Sequence, residues 1–384
     1  MTDRPILLNP GPVTISDRVR RALLGPDLCH REREFFDLQD AVRAGLLGVY
    51  DLDGQDWASV LLTGSGTAAV EAMIATLGPR SGRLLVIENG VYGQRMAAIA
   101  AAHGIDCTPL SHEWDQPVDL DRLDRALSDD PSIRLMAVVH HETTTGRLND
   151  LRGVANVCGR RDAGLLLDAV SSFGAEAIDF RAWPIHACAA TANKCLHGVP
   201  GICFVIVRRG AMPPREARPR SVYLDLARHA RAQDDRGTLF TPAVHCLYAL
   251  REALLELSDE GGRPARYDRY ASLASIVAEG LADLGVEPLL SADESSVVLR
   301  AYRLPPGVSY NALHDGLKER GFVIYNGQGE YADRLFRIST MGAIERADAR
   351  RIVSATRAVI KAGSAGGNAA PRQPEGGSSC TAGS

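Results

Sequence analysis

From Trp57 onward, short runs of leucine and β-branched residues alternate with longer stretches of helical apolar spacing. Ser59 to Leu62 predicts a strand, Gly64-Ser65-Gly66-Thr67 a tight turn, and Ala68 to Leu77 a helix. Leu84 to Ile87 predicts the next strand. A helix follows from about Gly93 to Ala102 and ends at His103-Gly104. Leu135 to Val139, Gly164 to Leu167, Ala187 to Ala190 and Ile202 to Val207 read as further strands. Runs that are apolar at every position, with no polar alternation, belong to strands buried on both faces. The pattern therefore predicts an α/β fold whose parallel or mostly parallel sheet is covered by helices on each side. Ligands of such sheets bind beyond the carboxyl ends of the strands, so the chemistry should lie just after each run.

The pattern changes after Ser258, where Glu260-Gly261-Gly262 punctuates the chain. A helix from Ala265 to Leu284, strands near Ser296 to Tyr302 and Leu335 to Ser339, and a helix from Arg346 to about Lys361 predict a smaller α+β domain. A chain of 384 residues is long enough for two cores. The expected division is 1–258 for a large domain, whose extreme N-terminus can pack with the small one, and 259–362 for the small domain. From Gly363 to Ser384 the chain is rich in Gly, Ser and Pro and poor in large apolar groups, and reads as a disordered tail.

Apolar residues make up 45% and charged residues 23% of the chain, as in ordinary globular enzymes. A net charge of -4 argues against a dedicated nucleic-acid binder. No apolar stretch is long enough to span a bilayer, and Met1 to Pro12 lacks the charged and apolar regions of a signal peptide. The eight cysteines form no CxxC pair and read as free thiols of a cytoplasmic protein.

The turn Gly64-Ser65-Gly66-Thr67 follows a strand and opens a helix, so its amides and hydroxyls can hold a phosphate; a plain tight turn explains it equally well. Gly64-x-Gly66-x-x-Ala69, with Glu88 ending the following strand, also fits a relaxed dinucleotide fingerprint and keeps an NAD-dependent dehydrogenase open. Two other strand ends favour a different cofactor. Leu165-Leu166-Leu167-Asp168 puts a carboxylate after an apolar strand, and Ala189 to Lys194 puts a lysine after another. A lysine that forms a Schiff base and a carboxylate that keeps a pyridine nitrogen protonated are what pyridoxal 5'-phosphate requires. In His140-His141-Glu142-Thr143-Thr144-Thr145-Gly146, adjacent residues of an extended chain point apart. No metal is expected there; the hydroxyls read as donors to a cofactor oxygen.

Several segments occur in order: Asn9 to Pro12, Gly64 to Thr67, Asn89 to Arg95, Glu142 to Gly146, Asp168 to Gly174 and Asn193 to Gly201. From about Ile6 to Ile360 the chain resembles the fold-type-I, class V aminotransferases, and specifically the 2-aminoethylphosphonate–pyruvate transaminases. The resemblance implies a mainly parallel seven-stranded sheet, with Lys194 as the Schiff-base lysine and Asp168 as partner of the pyridinium nitrogen. Ser65, Gly66 and Thr67 would bind the cofactor phosphate, Tyr92 would stack on the ring, and Thr143 would lie near its phenolic oxygen. Thr241 would reach the cofactor phosphate of a neighbouring subunit, making a homodimer with shared sites. Arg337 would clamp the acid group of the substrate, and Arg220 is a second candidate for the phosphonate. His30 stands where many relatives carry proline, in a loop expected near the substrate mouth.

The implied reaction moves an amino group from 2-aminoethylphosphonate to pyruvate, or back in a biosynthetic direction. An alanine–glyoxylate or serine–pyruvate enzyme of the same fold, or one acting on another phosphonate, is the alternative.

Overall fold

The structure is a computed structural model and describes residues 4–366. The large layer is built on β1 (Trp57–Gly64), β2 (Arg83–Glu88), β3 (Cys107–Ser111), β4 (Ile133–Val139), β5 (Gly164–Asp168), β6 (Ile185–Thr191) and β7 (Gly201–Arg208), all but β3 formed by the apolar runs. They make one seven-stranded sheet in the order β1-β7-β6-β5-β4-β2-β3. β3, β2, β4, β5 and β6 run parallel, and β7 is antiparallel to both β6 and β1.

Successive strand residues enter opposite cores, as the two-residue period of a strand requires. Leu85, Met136, Leu165, Cys188 and Phe204 face one cluster, and Leu84, Ala137, Leu166, Ala189 and Val205 the other. The helices α1 (Gly66–Leu77) and α2 (Val91–Ala102) pack on the second face through Val70, Met73, Met96 and Ile99. Both begin two residues earlier than their apolar spacing predicts, because apolar periodicity does not register the first, capped turn. The pattern also misses β3, a half-exposed edge strand that carries Pro109 and no apolar run.

The helices α3 (Val244–Asp259) and α4 (Gly262–Ala282) lead into a three-stranded antiparallel sheet of β8 (Leu299–Arg303), β9 (Tyr325–Asn326) and β10 (Leu335–Ser339), with β10 in the centre. Leu273, Val277, Phe336 and Ile338 form its core with Ile352 and Val359 of α5 (Arg346–Gly366). Ile6–Leu7 pairs with Phe322–Val323, so the start of the described chain joins this second layer. Residues 363–366 continue α5. The rest of the expected tail, 367–384, lies outside the described residues. No helix among the described residues is long and apolar enough to cross a membrane.

Candidate active site

Gly64, Asp168 and Thr191 end β1, β5 and β6, while Gly201 opens the antiparallel β7. The register pairs Gly201 with Gly64, Cys203 with Thr191 and Asp168 with Ala189, so these positions gather on one edge of the sheet. A cavity of about 490 Å³ opens there. Ser65, Gly66, Thr67, Tyr92, Asp168 and Lys194, all singled out from the sequence, line it together with Arg95.

Ser65 is the N-cap residue of α1, yet its side chain makes no capping bond. The hydroxyl and the free amides of the first turn can therefore serve an anion, and the helix dipole favours one. Tyr92 and Arg95 stand three apart in the first turns of α2, a spacing that places them on one face. The Arg95 guanidinium lies 4.7 Å from the centre of the Tyr92 ring, and its Nη1 donates to Thr67 Oγ1 at 3.4 Å. Sequence reading gives Arg95 no role; its helical spacing from Tyr92 was the available signal.

Lys194 lines the cavity, half-buried, and its Nζ donates to the Pro10 carbonyl. Burial brings its pKa down to about 8; Asp168 opposes that shift, and Arg337 and Arg95 add to it. Gly11, at φ +115°, makes this approach possible, since a Cβ there would lie 2.7 Å from Lys194 Cδ. Asp168 is 6% exposed and accepts one bond, from the Val170 amide at 3.0 Å. Burial pushes its pKa up to about 6. A buried carboxylate with so little compensation is poised to accept from a further N–H donor.

The hydroxyl-rich turn after β4 is fully buried. Glu142 Oε2 accepts the Tyr92 amide at 3.2 Å, and its Oε1 accepts the Thr144 hydroxyl at 2.6 Å. A carboxylate at the first turn of α2 thus holds the segment that carries Tyr92, a positioning role absent from the sequence reading. The Thr143 hydroxyl has no partner among the described residues, which leaves it to donate to a ligand. His141 Nδ1 bonds the Ser171 carbonyl at 3.1 Å, and burial brings the pKa of His141 down to about 4.

Arg337, on β10, is buried without a carboxylate partner among the described residues. Its Nε donates to the Asn326 carbonyl at 2.8 Å and its Nη1 to the Thr143 carbonyl at 2.9 Å. Arg337 is not part of the cavity lining, but Tyr92, which is, lies within its electrostatic reach. Arg220 goes elsewhere. Its guanidinium bonds the Ala75, Gly78 and Pro79 carbonyls at the far end of α1. Thr241 is exposed and lies outside this cavity, next to the exposed Phe240 and close to Tyr223. His30 is half-buried and also does not line it.

The dinucleotide alternative fails on topology. β1 and β2 are separated by β7, β6, β5 and β4, so Glu88 is remote from the glycine turn, and its carboxylate instead accepts the Ser111 hydroxyl at 2.9 Å.

The family model for class-V aminotransferases matches residues 34–304. A 2-aminoethylphosphonate–pyruvate transaminase of Pseudomonas entomophila is 37% identical over 364 residues, covering 94% of this chain and 98% of its own. One from Vibrio vulnificus is 39% identical over 361 residues, covering 92% of this chain and 97% of its own. The crystal structure of an alanine–glyoxylate aminotransferase from Nostoc sp. superposes with a TM-score of 0.87 at 26% identity, covering 93% of this chain and 95% of that one.

Proposed function

The chain belongs to the class-V aminotransferases, and from that premise we propose that it exchanges the amino group of 2-aminoethylphosphonate with pyruvate, giving phosphonoacetaldehyde and alanine or running in reverse. One observation carries the reading: a lysine with a lowered pKa lines the same cavity as the Ser65-Gly66-Thr67 turn, while Arg337, which has no carboxylate partner among the described residues, lies on the neighbouring β10.

Pyridoxal 5'-phosphate fits the residues present. Ser65, Gly66 and Thr67 offer amides and hydroxyls to its phosphate, Asp168 an acceptor to its ring nitrogen, Tyr92 a face for stacking, and the unpartnered Thr143 hydroxyl a donor to its phenolic oxygen. When bound, it supplies an electron-withdrawing ring that takes up the electron pair left when the amine-bearing carbon of the donor loses a proton. Lys194 Nζ would hold the cofactor and would be the group that moves that proton. Asp168 keeps the ring nitrogen protonated, and Arg337 orients the donor through its phosphonate and the acceptor through its carboxylate.

We read the protein as a homodimer in which Thr241 of each subunit reaches the other's cofactor phosphate. The exposed Val222, Tyr223 and Phe240 near Thr241 support this. Division at 258/259 into a large and a small domain, and a cytoplasmic setting for the free thiols, belong to the same reading.

The visible absorption spectrum tests it. The cofactor band should bleach on addition of 2-aminoethylphosphonate and return with pyruvate. A band that ignores 2-aminoethylphosphonate and responds to serine or alanine would overturn the substrate.

A further inference from the structure

The guanidinium of Arg337 is already largely used. Of its five N–H groups, Nε is taken by the Asn326 carbonyl, and the two on Nη1 by the Thr143 carbonyl at 2.9 Å and Gln328 Oε1 at 3.1 Å. Only Nη2 has no acceptor among the described residues, so an incoming anion does not meet a free fork.

Gln328 alters that arithmetic. Arginine can only donate, so the side-chain oxygen of Gln328 must face it, and the amide NH2 is left without a partner among the described residues. The side chain does not cap the short 3-10 turn Gly329–Tyr331 that it precedes. The backbone on both its flanks is closely packed. A Cβ at Gly327 would lie 2.0 Å from the Tyr331 carbonyl oxygen, and Gly329, at φ +53°, lies against Trp114, whose ring pairs with Tyr331 at 6.0 Å. The segment between β9 and β10 thus brings a second pair of N–H donors to the Arg337 guanidinium, through the amide whose oxygen faces Nη1.

We propose that Gln328 is a specificity-determining residue that, with Arg337 Nη2, favours a three-oxygen phosphonate over a two-oxygen carboxylate. This rests on the reading of Arg337 as the acid-group site. Nη2 and the Gln328 amide are N–H donors on two separate side chains, so a phosphonate can meet them with different oxygens, whereas a carboxylate has no third oxygen to spare. Gln328 stays partly exposed, so its replacement should leave the fold intact.

The test is the holoenzyme with Gln328→Leu and Gln328→Glu. Gln328→Leu should lower kcat/KM for 2-aminoethylphosphonate by about 10- to 100-fold, mainly through KM, and change that for alanine by less than about threefold. Gln328→Glu, which puts a carboxylate on Arg337, should lose more. Inhibition of the alanine half-reaction by methylphosphonate and by propionate reads the same preference without turnover of the phosphonate donor. Equal weakening of both inhibitors, or of neither, overturns the proposal. A wild-type enzyme that ignores 2-aminoethylphosphonate yet prefers methylphosphonate through Gln328 would sink the donor assignment and uphold this one.

Discussion

Arg337 Nη1 lies 2.9 Å from the Thr143 carbonyl oxygen, joining β10 to the turn after β4 across 194 residues of chain. Through this bond the small antiparallel sheet sets its buried cation against the turn whose threonine hydroxyl is free. In the proposed reading, the acid-group site and the cofactor site therefore share one segment.

Arg337→Lys should lower kcat/KM for 2-aminoethylphosphonate by roughly 10- to 100-fold while leaving cofactor affinity nearly unchanged. An ammonium group cannot reach the Asn326 and Thr143 carbonyls and a ligand together. Steady-state kinetics alongside a cofactor titration checks this.

Lys194 must lose a proton before it can attack an aldehyde, and its pKa is brought down to about 8. Covalent attachment of pyridoxal phosphate to cofactor-free protein should therefore speed up about tenfold per pH unit below 8 and level off above it. Stopped-flow absorbance would show this. Lys194→Ala should show no such phase and no turnover, yet melt close to the wild type.

Asp168 keeps its proton up to about pH 6 in the folded chain, against the ordinary aspartate value of 3.8. The folded state binds more protons between those values, so stability falls as pH rises through that window and stays lowered above it. In cofactor-free protein, Asp168→Asn should be more stable than the wild type at pH 7, by on the order of 1–3 kcal/mol, with the difference vanishing below pH 4. In the loaded enzyme the same change should cost roughly 100-fold in kcat. Thermal melts at both pH values and an activity assay separate the two effects.

Arg220→Ala should destabilise the protein by about 1–3 kcal/mol and leave kcat and KM unchanged, because it strips partners from three carbonyls at the end of α1. Denaturant unfolding measures the first part. Lost activity with stability intact would return Arg220 to the substrate site.

Much of the large sheet was legible because burial on both faces leaves an unbroken apolar run, as in Leu165 to Leu167. The half-exposed edge strand Cys107–Ser111 had no such run and was missed. Asp168 and Lys194 could be found because one ends an apolar strand and the other comes just after the turn that leaves another. Glu142 could not, since it acts by touching a residue from another segment, and Arg95 offered only its helical spacing from Tyr92.

By itself the sequence determined the strand–helix alternation, the glycine turn and the acid and lysine at two strand ends. These depend on local backbone chemistry and on short-period burial, which the order of residues encodes directly. Only the tertiary structure decided that β7 enters the sheet antiparallel, that Arg220 secures a helix end, and that Arg337 meets Thr143. Such meetings depend on how two separately formed layers pack, and no short-range pattern carries the distance between residues nearly two hundred positions apart.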